Sequence, residues 1–474
     1  MKNIILNTDS YKTSHKSLYP PGTEKVTYYI EARGGKGTCT LFFGLQYFIK
    51  EYLMKPITKE DIVEARDILQ IHGMPFDEED WQYILEEYDG FLPLRIEALE
   101  EGMIVPIGTP LVQVTCYDPK LFWLPGYIET ALLRAVWYPT SVATESLYCK
   151  SALTRYYDKC KGNSPLDYLL HDFGSRGATT VEASGIGGLA HLVNFRGTDN
   201  LPALYYGKHY YGEVCAGESI PASEHSVTIC WGRDKEKEAY LNMLQQPNDV
   251  SIVIDSYDMW DTLHGMFCDE FVETIKNRGN NHLTTVLRPD SGDPVRTPLA
   301  VILKLMDTFG YTTNHVGYRT LNYNIKVLQG DGINSESVAE ILNLMDEMKL
   351  SIDNIVFGMG GALLQNVNRD THSMAMKANH VVVNGVGKGI NKNPVEAPEK
   401  ASKIGVQAVV YDPHNTSFTG ITSIPKTLLG EGEQNLLRTV YLNGILVEEQ
   451  ELRHIVEKAE SCFEQFYNSP DEEN

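Results

Sequence analysis

The sequence predicts an α/β protein in which an irregular βα-barrel is combined with an α+β domain. Short apolar stretches alternate with helical sequence in the second half of the chain, and they begin near residues 251, 284, 324 and 354. This alternation is typical of βα units, and the nearly continuous apolar character fits parallel strands buried on both faces. The last two stretches run directly into glycine-rich turns at 329–332 and 358–361. A βα-barrel that binds a phosphate has such turns after its last strands.

Helical periodicity places helices between these strands. Apolar residues recur at helical spacing over 259–277, from Pro294 to about 306, and over 335–350. In the last segment, Ser337 and Glu340 have the spacing of a capping box. Each helix therefore connects one strand to the next.

The flanking segments predict a second domain of the α+β type. We expect strands at 26–30, 92–99, 381–383 and 407–410, a hairpin at 103–114, and helices at 58–71, at 121–135 and near the acidic C-terminus. No flexible linker separates the βα units from either flank, so the C-terminal segment is expected to fold back onto the N-terminal one. The predicted domains are residues 1–161 with 367–474, and a barrel of residues 162–366.

Composition limits the class of partner. The chain has 474 residues, 42% of them hydrophobic, and a formal net charge of −22. This charge opposes binding to nucleic acid or to an anionic membrane. The eight cysteines are scattered, which favours free thiols in a reducing cytosol. Because no apolar run reaches the ~18 residues of a membrane span, we expect a soluble cytoplasmic protein that acts on small molecules.

The paired glycine turns favour a phosphorylated small molecule as the ligand, since glycine lets backbone N–H groups approach phosphate oxygens. The glycine motifs of P-loop and Rossmann proteins are both missing from the sequence. Local cations must hold an anionic ligand against the overall negative charge. Arg369, Lys377, Lys392, Lys400 and Lys403 form a basic segment that is either such a cluster or a solvated face.

Polar side chains follow the predicted strands, where a barrel has its active site. Arg288 and Asp290 flank Pro289. They form either a local ion pair or a site in which the guanidinium holds a phosphate and the carboxylate holds ribose hydroxyls or stabilises positive charge. His225 is either structural, a general acid–base or a phosphoryl acceptor. Asp331 either stabilises its turn or accepts a sugar hydroxyl.

These motifs together resemble those of the nicotinamide phosphoribosyltransferases. The matching motifs run from residue 8 to about 445 and include TDSYK (8–12), HDFG (171–174), AHLVNF (190–195), GTD (197–199), EHS (224–226), DSYD (255–258), RPDSG (288–292) and QGDG (329–332). The resemblance implies the type II phosphoribosyltransferase fold and a homodimer whose active sites are shared between subunits. It also implies a reaction of NAD salvage that joins nicotinamide to 5-phosphoribosyl-1-diphosphate, releasing diphosphate. Mg²⁺ would be carried by the substrate phosphates with no direct protein ligands, and ATP would be a co-substrate hydrolysed through a phosphohistidine.

The resemblance further implies a role for each candidate residue. Nicotinamide would be bound by Phe173, Asp199 and Arg288, with Tyr11 of the partner subunit on the other face of its ring. Catalysis would rest on Asp290 and on His225, which Glu224 and Asp255 would steady. The ribose and its phosphate would be held by Arg176, Pro289, Gly330, Asp331, Gly360, Gly361 and Arg369. The diphosphate or nucleotide phosphates would be held by Arg33, Lys377, Lys392 and Lys400.

Two positions depart from the animal members of the resembled family. Ser175 stands in place of a tyrosine, and Ala375 in place of a phosphate-contacting serine. Two other functions are open: a nicotinate phosphoribosyltransferase, and a non-catalytic ligand-binding protein of the same fold. Asp199 argues against the first, because a carboxylate accepts a hydrogen bond from an amide and repels a carboxylate substrate. The complete set of catalytic candidates argues against the second.

Overall fold

The computed structural model describes residues 3–397, 400–412, 415 and 419–468. The chain divides into two compact units. One, here called the antiparallel unit, comprises Met1–Thr144, Gly207–Glu213 and Val367–Asn474. The other, the barrel unit, comprises Glu145–Tyr206 and Val214–Asn366. The first division thus falls at residue 144, within the helix Glu129–Cys160, and not at residue 161.

A seven-stranded antiparallel sheet organises the antiparallel unit. In spatial order its strands are Val386–Gly389, Ala375–Val383, Thr23–Glu31, Pro110–Cys116, Leu94–Ala98, Arg438–Leu442 and Ile445–Leu446. Strands from the C-terminal segment therefore flank the N-terminal strands on both sides. Two further pairs are Cys39–Leu41 with Ile104–Pro106, and Gln407–Tyr411 with Ile421–Pro425.

The helices of this unit pack against a core that contains Phe42, Trp81, Trp123 and Tyr127. The α-helices are Leu45–Phe48, Lys59–His72, Glu78–Glu87, Leu124–Tyr127, Leu452–Tyr467 and the first half of Glu129–Cys160. Shorter helical segments span Ile4–Leu6, Ser10–Leu18, Ile49–Leu53, Pro119–Leu121 and Lys426–Leu428. Lys59–His72 lies within one residue of the prediction, because a Thr58–Asp61 capping box starts it and Gly73, at φ +80°, ends it.

The hairpin predicted at 103–114 is wrong. Ile104–Pro106 pairs with Cys39–Leu41, whereas Pro110–Cys116 pairs with Thr23–Glu31 and Leu94–Ala98 in the main sheet. Pro106 and Pro110 lack the N–H groups that a hairpin ladder would need, so the two strands separate at the intervening turn.

Six parallel strands form the sheet of the barrel unit. Their spatial order is Gly197–Thr198, Leu170–Asp172, Ile355–Met359, Ile325–Gln329, Thr285–Arg288 and Val250–Val253. The two outer strands are linked by residues 218–223, since Glu218 bridges Gly197 and Ala222 bridges Ser251. Residues 218–223 thus contact both outer strands of the curled sheet. A separate pair of short strands joins Tyr311–Thr313 to Arg319–Leu321.

Helices connect the strands of the barrel unit. The α-helices are Val181–His191, Leu201–Tyr211 (of which residues 207–211 belong to the antiparallel unit), His225–Ile229, Glu236–Leu244, Met259–Asp261, Val272–Asn280, Arg296–Phe309, Ser335–Glu347 and Gly361–Leu364. A π-helix spans Thr262–Glu270, and short 3-10 turns span Leu166–Tyr168, Ser175–Gly177, Arg233–Lys235 and Ile352–Asn354. Among all helices in the described part of the chain, none is long and apolar enough to cross a membrane.

Two details of these helices differ from the prediction. The helix expected over 259–277 is divided into an α-helical turn, the π-helix and a second α-helix. The capping box of Ser335–Glu347 is formed by Asn334 and Ser337, so the prediction of Ser337 with Glu340 is wrong. The Ser337 N–H donates to Asn334 Oδ1 at 2.9 Å and the Asn334 N–H donates to Ser337 Oγ at 2.9 Å, so the helix begins at Ser335, where the prediction placed its start.

His191 gives the fold a dependence on pH. Its ring is fully buried, with Nδ1 2.9 Å from Ser146 Oγ and Nε2 3.2 Å from the Leu170 carbonyl oxygen. Burial disfavours the charged ring and lowers the pKa of His191 from 6.5 to about 3. Because the unfolded chain binds the proton more readily, stability is complete above pH 6.5 and is lost as the pH falls toward 3.

We expect His191→Gln to flatten this dependence, because glutamine keeps polar contacts but does not titrate. Between pH 7 and pH 5.5 the free energy of unfolding of the parent chain should fall by about 1 kcal/mol more than that of the variant. Urea unfolding at both pH values measures the difference. Burial also lowers the pKa of His171, but the parent chain and the variant both contain His171, so its contribution to the pH dependence is the same in the two proteins. Parallel pH profiles would show that His191 does not cause the effect.

Candidate active site

The carboxyl ends of the six parallel strands lie at one edge of the barrel sheet. Most of the predicted site residues follow these ends directly, or follow the linking segment 218–223. They are Phe173, Arg176, Asp199, Glu224, His225, Asp255, Arg288, Pro289, Asp290, Gly330, Asp331, Gly360 and Gly361. The fold therefore brings residues far apart in sequence to the edge at which βα-barrels carry their active sites.

Phe173 is held as a platform for a flat ligand. Its N–H donates to the Met359 carbonyl oxygen at 2.9 Å. Its ring lies against Gly358, where a Cβ atom would come within 2.1 Å of Phe173 Cε2, so only glycine fits at that position. The Arg288 guanidinium carbon is 5.5 Å from the ring centroid. A half-buried ring fixed in this way can stack on another flat ring.

Asp199 is exposed, and its carboxylate is oriented by a neighbour on the linking segment. Ser219 Oγ donates a short hydrogen bond to Asp199 Oδ1. The Asp199 N–H donates to the Asp172 carbonyl oxygen at 3.1 Å. Asp199 Oδ2 can therefore accept a further hydrogen bond from a ligand while the rest of the residue is held.

Arg288 and Asp290 form a close ion pair. Asp290 Oδ1 accepts from Arg288 Nη2 at 2.7 Å and from Nε at 3.1 Å. Both side chains are about one-quarter exposed. The guanidinium holds one carboxylate oxygen, and the other oxygen faces His225, with Oδ2 4.0 Å from Nδ1. This orientation leaves a fixed negative charge at the strand edge.

The protonation of the His225 ring follows from its contacts. Nε2 lies 3.0 Å from Oδ1 of Asp255, whose side chain is only 5% exposed. A carboxylate accepts and does not donate, so we assign the proton to Nε2 and the lone pair to Nδ1. The half-exposed imidazole thus presents a nucleophilic nitrogen on the side of Asp290.

Only one of the two carboxylates expected beside His225 contacts its ring. Glu224 accepts a short hydrogen bond from Ser226 Oγ and lies 3.9 Å from the Arg176 guanidinium. Glu224 precedes the first residue of helix His225–Ile229, from which position its side chain meets the helix start instead of the ring. Asp255 is therefore the residue that orients His225.

Most glycines of the two turns are not required by left-handed backbone. Of the glycines in these turns, Gly332 alone has a positive φ, at +66°. A Cβ at Gly330 would lie 3.4 Å from Arg288 Nη2, and one at Gly361 would meet open space. Gln329 is 2% exposed, and its Nε2 donates to the Asp331 carbonyl oxygen at 2.9 Å, which holds the first turn in place.

The remaining predicted residues lie in the antiparallel unit. Arg33, Arg369 and Lys400 line a pocket of about 300 Å³. Burial, together with the charges of Arg33, Lys392 and Arg369, lowers the pKa of Lys377, so these cations lie close together. Two cations of the basic segment, Arg369 and Lys400, thus line a pocket together with Arg33, and both of their side chains are exposed. An anion bound there would relieve the repulsion between its cations.

Tyr11 also lies in the antiparallel unit, on the 3-10 helix Ser10–Leu18. Its side chain is 54% exposed. The Lys12 ammonium nitrogen is 5.5 Å from its ring centroid, and the His15 ring centroid is 5.1 Å away. The exposed ring is available to a ligand.

Comparison with known proteins identifies the family. The family model described as "Nicotinate phosphoribosyltransferase (NAPRTase) family" matches residues 168–445, and "Nicotinamide phosphoribosyltransferase, N-terminal domain" matches residues 3–96. A nicotinamide phosphoribosyltransferase of Xanthomonas campestris pv. campestris is 41% identical over 471 residues, which cover 98% of this chain and 99% of the relative. The chain belongs to the nicotinamide phosphoribosyltransferase family. Another such relative, from Acinetobacter baylyi, is 31% identical over 98% of this chain and 99% of its own length.

Solved structures share the fold with this member of the nicotinamide phosphoribosyltransferase family. The nicotinate-nucleotide pyrophosphorylase of Pyrococcus furiosus has a TM-score of 0.62 at 17% identity, over 98% of this chain and 96% of that protein. Human nicotinic acid phosphoribosyltransferase has a TM-score of 0.57 at 16% identity, over 97% and 93%. The predicted α/β fold of the type II phosphoribosyltransferases is confirmed.

The two departures from the animal members of the family now have positions in the structure. Ser175 Oγ lies 2.8 Å from Ser184 Oγ, so the serine joins a polar contact in the barrel unit. Ala375 is 3% exposed and opens strand Ala375–Val383 opposite Glu31. Its methyl group is therefore part of the packing of the antiparallel sheet.

Sequence reasoning missed several residues that shape the site. Ser219 orients Asp199, Gln329 holds the Asp331 turn, and Asn200 lies buried directly behind Asp199. Two of these residues could have been identified from the sequence. Gln329 is a polar residue at the end of an apolar strand, and Asn200 directly follows the candidate Asp199. Nothing in the sequence around Ser219 marks it, because its role depends on a contact across the irregular linking segment.

Proposed function

We propose that the chain catalyses transfer of the phosphoribosyl group from 5-phosphoribosyl-1-diphosphate to nicotinamide, giving nicotinamide mononucleotide and diphosphate for NAD salvage. The observation that carries this proposal is the placement of Phe173, Asp199 and the Arg288–Asp290 pair at one edge of one parallel sheet. A platform for a flat ring thus lies beside an acceptor for an amide and a fixed charge pair. Family membership supports the same reaction.

The base is held by stacking and by one directional hydrogen bond. Phe173 covers one face of the pyridine ring, and Tyr11 of the partner subunit covers the other. The free oxygen of Asp199 accepts the carboxamide N–H, and Arg288 contacts the amide. This sandwich holds the ring nitrogen in line with the reacting ribose carbon.

Transfer proceeds through positive charge on the ribose. As the bond between the anomeric carbon and the diphosphate oxygen breaks, the ring acquires oxocarbenium character, and the ring nitrogen of nicotinamide supplies the new bond. The carboxylate of Asp290 stabilises this charge. Mg²⁺ carried by the substrate phosphates, with no direct protein ligand, would supply positive charge to offset the charge on the leaving group.

Phosphate groups are held in two places. Backbone N–H groups at Gly330, Asp331, Gly360 and Gly361, with Arg176 near them, hold the ribose and its 5-phosphate. The cluster of Arg33, Arg369, Lys377, Lys392 and Lys400 holds diphosphate or nucleotide phosphates. We place this cluster at a site that two subunits of a cytoplasmic homodimer complete together.

ATP hydrolysis is coupled to transfer through His225. Nδ1, which holds the lone pair, attacks the γ-phosphorus of ATP, and the bond to the bridging oxygen breaks with release of ADP. The Nε2–H bond to Asp255 stabilises the positive ring that results. Attack of water on the phosphorus then returns the free imidazole and releases phosphate.

Asp199→Ser tests the proposed choice of base. A carboxylate near the ring substituent repels nicotinate by about 4 kcal/mol at an effective dielectric of 20, so the parent chain should strongly prefer nicotinamide. In the variant, the ratio of kcat/KM for nicotinamide to that for nicotinate should fall by about tenfold or more. Steady-state rates of mononucleotide formation from each base measure the ratio.

Asp307→Ser is the matched control, because Asp307 is an exposed carboxylate near the C-terminal end of helix Arg296–Phe309. It should leave the ratio unchanged. An equal ratio in the parent chain and in Asp199→Ser would reject the role of Asp199.

A further inference from the structure

A chain of buried polar side chains connects two loops at the carboxyl edge of the barrel sheet. Asp172 and Asn200 are fully buried, and Ser184 is 2% exposed. Asn200 Nδ2 donates to Asp172 Oδ2 at 2.8 Å and to the Ser184 carbonyl oxygen at 2.9 Å. Ser184 Oγ donates to Asn200 Oδ1 at 3.0 Å. Because every group lies away from water, loss of one bond leaves a buried polar atom unpaired.

This buried chain is attached to the backbone on both sides of the base site. Asp172 Oδ1 accepts the N–H of Gly174 at 2.7 Å, which fixes the turn that carries Phe173. The Asp172 carbonyl oxygen accepts the N–H of Asp199 at 3.1 Å. Asn200 directly follows Asp199, and its hydrogen bond to Asp172 therefore connects the loop that carries Asp199 to the loop that carries Phe173.

Helix Val181–His191 packs closely against this buried chain at Gly188. A Cβ atom at Gly188 would lie 2.3 Å from Asn200 Nδ2 and 2.8 Å from Asp172 Oδ2. Ser175 Oγ, 2.8 Å from Ser184 Oγ, forms the outer end of the chain.

We infer that the buried chain Asp172–Asn200–Ser184–Ser175 sets the gap between the Phe173 ring and the Asp199 carboxylate, with Asn200 as the positioning residue for the nicotinamide ring. The inference rests on the proposed function. A flat base fits only if the stacking surface and the hydrogen-bond acceptor keep their spacing, and small displacements of such groups are costly to binding and rate. The turns of Gly330–Asp331 and Gly360–Gly361 make none of the hydrogen bonds of this chain, and Arg176, next to Ser175, is the one phosphate-binding residue beside it. Binding of phosphoribosyl diphosphate should therefore be little affected.

Asn200→Ser tests the inference, with Asn354→Ser as its matched control. Asn354 is also fully buried, and its amide bonds Leu321 N at 2.7 Å and the carbonyl oxygens of Arg319 and Ser351 at 2.8 Å. It precedes strand Ile355–Met359 and so lies at the opposite end of the sheet from the site. Both variants should lower the melting temperature.

Asn200→Ser should raise the KM for nicotinamide by about tenfold and change the KM for phosphoribosyl diphosphate less than twofold. Asn354→Ser should change neither KM. The milder variant Ser184→Ala removes a single hydroxyl and should raise the nicotinamide KM two- to threefold. This variant tests the inference if Asn200→Ser does not fold. Unchanged nicotinamide KM values in the folded variants, or equal rises for both substrates, would overturn the inference. Failure of the parent chain to use nicotinamide would instead reject the proposed function.

Discussion

Replacing His225 with alanine is expected to abolish ATP hydrolysis, while slow transfer of the phosphoribosyl group to nicotinamide survives. The reason is geometric: Nδ1 holds the lone pair because Nε2 bonds Asp255 at 3.0 Å, and alanine offers no nucleophile. Transfer depends on other groups, namely Asp290 and the base-binding residues. Release of phosphate from ATP and formation of mononucleotide, measured in parallel, separate the two reactions.

Asp255→Asn refines this test, because it keeps the shape of the carboxylate but is able to donate a hydrogen bond. The ring would then carry its proton on Nδ1, and ATP hydrolysis should fall by about 10²-fold or more with transfer retained. Unchanged ATP hydrolysis in His225→Ala would reject the phosphohistidine.

Replacing Asp290 with asparagine is expected to lower kcat for transfer by about 10²- to 10³-fold, with a smaller effect on KM. The amide oxygen can still accept from Arg288, whose Nη2 lies 2.7 Å from Oδ1, so the local geometry is retained. What is lost is the negative charge beside the ribose carbon as positive charge develops there. Initial rates at saturating nicotinamide and phosphoribosyl diphosphate measure the change.

Asp293→Asn provides the control in the same loop. Asp293 accepts hydrogen bonds from the N–H groups of Val295 and Arg296 at 2.9 and 2.8 Å, and asparagine can replace it in that role. Its kcat should stay within twofold of the parent value. If Asp290→Asn retained more than one-fifth of the parent kcat, Asp290 would not be the group that stabilises the ribose charge.

The parallel strands could be predicted from sequence because each is a short, almost continuously apolar run that ends in polar or glycine residues. Thr285–Arg288, Ile325–Gln329 and Ile355–Met359 start within one residue of the expected positions. Their carboxyl ends also located most of the candidate site, since parallel strands present these ends at a common edge.

Pairings between distant segments could not be predicted in the same way. The partner of Ile104–Pro106 is Cys39–Leu41, and no local pattern favours it over the adjacent strand. The linking segment 218–223 has no regular strand periodicity. Its bridges to the two outer strands and the contact of Ser219 with Asp199 therefore could not be predicted. Buried polar contacts such as that of Asn200 with Asp172 likewise depend on the final packing.

The role of the basic segment could not be predicted from local sequence either. Its cations were recognisable in an acidic chain, but sequence alone left a solvated face as an equal alternative. In the structure, Arg33, more than 300 residues earlier, lines the same pocket as Arg369 and Lys400. A charge cluster assembled from both ends of a chain has no signature in local composition.

We propose that this chain transfers a phosphoribosyl group to nicotinamide in preference to nicotinate. The most direct measurement is kcat/KM for each base, with phosphoribosyl diphosphate and Mg²⁺ present and mononucleotide product quantified. We predict efficient formation of nicotinamide mononucleotide, with a kcat/KM at least about 10²-fold above that for nicotinate. Equal kcat/KM values for the two bases would contradict the proposed preference for nicotinamide. Absence of mononucleotide from nicotinamide would contradict the proposed reaction itself.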